Sequence, residues 1–196
     1  RCFRDEDTRG NRQPEFTQMD MEMSFVEEED IIAINEQLLI TLIKKVTLEK
    51  HIQEVPFPRF SFKEVMERYG TDRPDLRKNK KDKNLLAFCW VVDWPFFERS
   101  AETSEWTFSH NPFSRPKEKY MPDLLAKKNI GKILTSQYDV VLNGSEIGGG
   151  SIRNHEPWAL QKVFEILGYK EKDIKKQFGH MLEAFASGTP PSHPGW

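Results

Sequence analysis

Seven charged residues fall on segments patterned as strands or strand ends, where a sheet could hold them rigidly. Arg4, Glu6, Asp20 and Glu22 lie near the N-terminus; Asp139, Glu146 and Arg153 come later in the chain. Taken singly, a charge on a sheet face points to water. As a set they suggest a site, because two carboxylates on adjacent strands can clamp a divalent ion while an arginine beyond them takes a carboxylate bidentately. Glu146 is soon followed by three consecutive glycines, Gly148 to Gly150, and glycines weaken a strand unless another group must approach its backbone closely. Asp139 and Arg153 each lie seven residues from Glu146. That pattern fits an anionic substrate bound beside a metal-bound polyphosphate.

Two hairpins must position these side chains. From Glu15 to Phe25, Met19, Met21, Met23 and Phe25 alternate with polar residues, which predicts a strand with one face packed on a core. Cys2 to Asp7 reads as its partner, with Thr8 to Pro14 as the connection. A second pair, Tyr138 to Asn143 and Glu146 to Arg153, flanks Asn143-Gly144. The apolar run Leu85 to Asp93 predicts a central strand covered on both faces. Ile31, Ile32, Ile34, Leu38, Leu39, Leu42, Ile43 and Val46 recur at helical spacing, with acids before them and Lys44 and Lys45 at the end, as the helix dipole favours. Ser61 with Glu64 forms a capping box for a second helix ending at Gly70. Two more helices are expected over Pro157 to Leu167 and Glu171 to Ala186. Trp106 to Pro116 is too irregular for core secondary structure and has the composition of a functional loop. The Lys-rich tract Arg73 to Asn84 reads as a solvated loop. Strands and helices do not alternate regularly, so the expected class is α+β: an antiparallel β-sheet flanked by helices.

Composition narrows the possibilities. The chain has 196 residues, 37% apolar and 12% aromatic, with 29 Lys or Arg against 31 Asp or Glu and a net charge of −2. That is enough apolar material for a real core and no single-sign field. No apolar run approaches the roughly 20 residues that span a bilayer. Cys2 and Cys89 form no metal-ligand pattern, and Arg1 to Asp7 lacks an apolar signal-peptide core; the expected compartment is the cytoplasm. No phosphate-binding GxxxxGK[ST] loop, GxGxxG turn, HExxH, CxxC or GxSxG is present, which disfavours the usual nucleotide folds.

FRDEDTRGNRQPEFTQMDMEMSF, Phe3 to Phe25, resembles the second signature motif of class II aminoacyl-tRNA synthetases in its aspartyl-tRNA synthetase version. Three more blocks agree in order with the bacterial aspartyl enzymes: FCWVVDWPFFE (Phe88 to Glu98), HNPFSRP (His110 to Pro116) and YDVVLNGSEIGGGSIRNH (Tyr138 to His155). The resemblance implies an aspartate–tRNA ligase core that uses ATP and Mg²⁺ to form aspartyl-adenylate and passes aspartate to tRNA(Asp), with tRNA(Asn) as a second candidate. It also implies roles. Arg4 would be catalytic, touching the ATP α-phosphate and the substrate carboxylate. Glu6 would bind the adenine amino group, Phe16 would stack under its ring and Gln13 would also belong to the ATP pocket, Asp139 and Glu146 would hold Mg²⁺ on the triphosphate, and Arg153 would pair with the aspartate side chain. His110 would sit in a mobile loop over the amino acid and Asp20 would take its α-ammonium. Arg9 and Arg12 could meet the tRNA acceptor end, though a solvated loop suits them nearly as well.

Departures from the family matter too. Residues 1–196 correspond to a partial catalytic domain, from within the second motif to just before the third. The first motif, which builds the family's homodimer interface, the anticodon-binding domain and the third motif's arginine are therefore not expected in this stretch, and alone it is expected to turn over negligibly. Residues 73–84 form a polar loop where bacterial members insert a domain. His110-Asn111 stands where the family usually has two histidines, and Ser192 looks like an extra residue. Two other readings stay open: a non-catalytic synthetase-like binding module or degenerate paralogue, and an aspartate-activating enzyme with a non-tRNA acceptor.

Overall fold

The computed structural model describes residues 1–5, 8, 12–188 and 190, and the backbone of 192–193. The chain runs through β1 (Cys2–Phe3), β2 (Glu15–Phe16), β3 (Met23–Ser24), α1 (Glu28–Val46), β4 (His51–Ile52), β5 (Arg59–Ser61), α2 (Phe62–Tyr69), β6 (Leu85–Leu86) and β7 (Phe88–Val92). It continues through β8 (Phe97–Arg99), β9 (Trp106–Phe108), α3 (Met121–Ala126), β10 (Gln137–Leu142), β11 (Ser145–Ser151), α4 (Pro157–Ile166), α5 (Glu171–Ala186) and β12 (Ser192–His193).

The central sheet has the order β11-β10-β7-β5. Its first three strands are antiparallel, as expected, but β5 joins β7 in parallel, so the sheet is mixed. A parallel pair needs a crossover, and α2 with the 73–84 loop supplies it. Three residues of β5 carry too little periodicity to announce this. Residues 73–84 themselves contain no helix or strand.

Strand β7 occupies the middle because its alternation fills two cores at once. Phe88 and Trp90, with Tyr138 and Val140, pack beneath Ile31, Ile32 and Ile40 of α1. Cys89 and Val91, with Val141, face Val65 of α2 and Trp94. Each large apolar side chain so buried contributes roughly 1.5–3 kcal/mol. Burial also pushes the Cys89 thiol up to about 12, so it behaves as a core hydrophobe. A third core joins β8, α3 and α4 through Phe96, Phe97, Leu124 and Val163, and α5 docks on α4 through Phe178 stacked on Phe164.

Local signals explain the element ends. Ser61 Oγ accepts from the Glu64 backbone N–H while the Glu64 carboxylate accepts from that of Ser61, and Gly70 closes α2 at φ 67°. The expected strand from Glu15 to Phe25 is realised only at its ends: β2 pairs with β1, and β3 with β12. Met21 and Met23 pack against the α1 core, whereas Met19 and Phe25 are exposed. Phe25 adopts φ 61°, which breaks the alternation before α1 begins. Trp106 to Phe108, expected to be irregular, forms an antiparallel pair with β8. No helix among the described residues is long and apolar enough to cross a membrane.

Candidate active site

The β10–β11 hairpin is built by its turn. Asn143 (φ 51°) and Gly144 (φ 87°) both take left-handed conformations, the requirement of the tight two-residue turn that Asn-Gly favours. The Asn143 side chain ties the turn to the Leu85 carbonyl and the Ala87 N–H. In the ladder Asp139 faces Gly149 and Val140 faces Gly148, but Val141 faces Glu146, leaving Ile147 as an extra residue. Cross-strand partners share a face. The bulge therefore turns Glu146 to the face of Val141 and Asp139; an unbroken ladder would send it to the other side. A Cβ at Gly149 would meet Asp139 Oδ1 at 2.2 Å and the Tyr138 carbonyl oxygen at 3.0 Å. This glycine is what allows the carboxylate to lie against β11.

This hairpin and the N-terminal one close on a single cleft of about 890 Å³. Arg4, Gln13, Phe16, Asp20, His110, Asp139, Glu146 and Arg153 all line it, with Leu38, Leu39 and Leu42 of α1 as an apolar wall. Glu6 and Arg9 lie outside the described residues. Arg12, read as a residue of either an RNA-facing or a solvated loop, lines the cleft 3.8 Å from the Glu146 carboxylate.

Within the cleft, the Arg4 guanidinium lies 5.2 Å from the Phe16 ring centroid, a cation–π contact. Asp139 is buried, accepts from Gln137 Nε2 at 3.0 Å and sits 3.5 Å from His110 Nε2. The His110 ring also meets Trp94 edge-on at 4.3 Å. Burial opposes the charged imidazole, but the Asp139 hydrogen bond and charge, with help from Glu146 and Asp72, outweigh it and raise the His110 pKa. Burial and the neighbouring Asp139 charge raise that of Glu146 against the pull of Arg12, His110 and Arg73. Arg153 shows the converse: burial lowers its pKa, against the support of Glu22, Tyr138 and Asp20.

Among the described residues no group of three His, Cys, Asp or Glu is placed to hold a metal. Asp139 and Glu146 offer a cation two carboxylates on one face. Such a pair suits a hard divalent ion that keeps waters and takes phosphate oxygens, as magnesium does.

Sequence reasoning missed the polar layer beneath these side chains. Ser114 Oγ lies 3.0 Å from Ser151 Oγ and 3.3 Å from Gln137 Oε1, and Gln137 in turn holds Asp139. Asn111 Oδ1 accepts from Arg153 at 3.2 Å. The available signal was the grouping of Asn111 and Ser114 in one Pro-rich segment, but only the fold shows that this segment pairs with β11's extension, through Ser114 and Arg153.

One hairpin thus brings Arg4, and the other with its extension brings Asp139, Glu146 and Arg153, to the same cleft. The family model described as tRNA synthetases class II (D, K and N) matches residues 1–196, and the chain belongs to that family. It is similar to an "Aspartate--tRNA ligase" of Listeria monocytogenes, 30% identical over 318 positions, covering 97% of this chain and 53% of that protein. It is also similar to an "Aspartate--tRNA(Asp/Asn) ligase" of Chlorobium phaeobacteroides, 31% identical over 313 positions, covering 97% and 51%. The chain thus spans about half the length of these relatives. Their matched regions, aligned over 313–318 positions against 196 residues here, carry extra length within the shared span. In fold it resembles the aspartyl-tRNA synthetase of Entamoeba histolytica, with TM-score 0.66 at 20% identity, covering 98% of this chain and 41% of that one.

Proposed function

We propose that the chain is the core of an aspartate–tRNA ligase acting in the cytoplasm, whose parent protein activates aspartate with ATP and transfers it to tRNA. The observation that carries this reading is the sharing of one cleft by Arg4 and Arg153, which come from opposite ends of the motif set. Phe16, with Gln13 and Glu6, would receive the adenine base. Arg4 would meet the α-phosphate and the α-carboxylate, stabilising charge while a carboxylate oxygen attacks phosphorus in line. Arg153 would seat the side-chain carboxylate, with His110 over the amino acid and Asp20 on its ammonium. Asp139 and Glu146 would hold magnesium, which when bound neutralises the polyphosphate and braces the departing pyrophosphate. Little proton transfer is needed, so positioning and fixed charge supply the catalysis.

A non-catalytic module has no physical need to converge Arg4, Asp139, Glu146 and Arg153, which opposes that reading. The name of the Chlorobium relative supports adding tRNA(Asn) to tRNA(Asp) as an acceptor, and the family resemblance supports a homodimeric parent. The test is ATP–pyrophosphate exchange by the whole protein across the amino acids, followed by tRNA charging. Exchange driven by aspartate alone is expected; exchange driven by another amino acid would overturn the assignment. Adenylate formation without charging of tRNA would instead point to a different acceptor.

A further inference from the structure

Arg153 is the half-buried cation on which recognition of an anionic side chain depends in the reading above. Among the described residues its guanidinium hydrogen-bonds to a neutral group, the Asn111 side chain. Acids do lie in its neighbourhood, for Glu22 and Asp20 act on its charge, but neither makes an ion pair with it. Asn111 Oδ1 simultaneously accepts from the backbone N–H groups of Phe113 (2.9 Å) and Ser114 (3.0 Å). Donors converging from three residues identify the atom as the amide oxygen, since a nitrogen there would face only hydrogens. The backbone fixes this arrangement: Arg115 N–H donates to the Ile152 carbonyl and Asn154 N–H to that of Phe113, both at 2.7 Å. The turn carrying Asn111 is thereby fastened alongside Arg153.

We propose that Asn111 is a positioning residue that sets charge selectivity. It aims the Arg153 guanidinium without itself forming an ion pair with it, so that the side-chain carboxylate of aspartate becomes the directly paired counter-ion. An aspartate in this position would make the same turn, because its oxygens accept the same N–H groups. It would also neutralise Arg153 as a full ion pair and repel the substrate.

This inference rests on the proposed aspartate chemistry, and the experiment separates the two. In the whole protein, Asn111→Asp and Asn111→Ala are compared by melting temperature and by KM for aspartate and ATP in pyrophosphate exchange. A merely structural role makes Ala the worse variant on every readout, since it loses the turn. Charge selectivity inverts the order for one readout only: Ala melts lower, but Asp raises the aspartate KM further, by about tenfold or more, with the ATP KM little changed. If Asn111→Ala does not fold, Asn111→Ser serves as the neutral comparison, and Asp is again expected to have the higher aspartate KM. Equal aspartate KM values for the acidic and neutral variants would overturn the inference. An Arg153→Leu control that keeps the ordinary aspartate KM would overturn the underlying reading instead.

Discussion

Replacing Gly149 with alanine tests the hairpin geometry directly. The added methyl would lie 2.2 Å from Asp139 Oδ1, 3.1 Å from its Cγ and 3.0 Å from the Tyr138 carbonyl oxygen. The Asp139 carboxylate cannot swing aside cheaply, because the side chain is short, 4% exposed and held by Gln137 at 3.0 Å. Overpacking of this kind costs about 1–3 kcal/mol, and losing a hydrogen bond to a charged acceptor costs about 1.5–3 kcal/mol. Displacing the carboxylate by roughly 1 Å would cost on the order of 10²-fold in rate. Thermal or urea melting reads the first effect and aspartate-dependent pyrophosphate exchange the second. Gly179→Ala serves as control: its nearest contact would be an ordinary 3.7 Å to Lys175 Cγ, and alanine in the interior of α5 should add about 0.5–1 kcal/mol of stability. A Gly149→Ala protein with unchanged melting and exchange would refute the close approach of Asp139 to β11.

Other expectations follow from single contacts. Glu165 accepts from Lys127 and Lys162, both at 2.7 Å, which hold its pKa down from 4.5 to about 2. A depressed carboxylate contributes stability that is present above its ordinary pKa and lost as pH falls through the folded value. Between pH 5 and 2 the native chain should therefore lose about 1–2 kcal/mol more than Glu165→Gln, after allowance for water around the ammonium groups; parallel melting curves would contradict this. Ser61→Ala should lower stability by about 1 kcal/mol, because the first turn of α2 loses its acceptor; an unchanged denaturation midpoint would show that Glu64 alone suffices.

Much of the site was legible because its residues sit on local structure. Asn143-Gly144 announces its own turn, the glycine run announces close approach, and Ser61, Glu64 and Gly70 mark both ends of α2. What escaped depends on partners distant in the chain. The Ile147 bulge is set by β10, and without it the alternation of β11 puts Glu146 on the wrong face. The parallel entry of β5 depends on a crossover, and β5 itself is three residues long. Met19 and Phe25 follow the period of a strand, yet the middle of that segment gains no ladder, so periodicity overstated it. Asn111 reads as a loop residue until the fold brings Arg153 beside it.

On the proposed function, two separate hairpins grip one substrate. A crystal structure of the whole protein with a non-hydrolysable aspartyl-adenylate analogue tests it most directly. Arg153 is expected in a bidentate contact with the side-chain carboxylate and Arg4 at the phosphate, both within hydrogen-bond distance of the same molecule. An analogue bound elsewhere, or held in this cleft with Arg153 turned away from it, would rule out the shared grip.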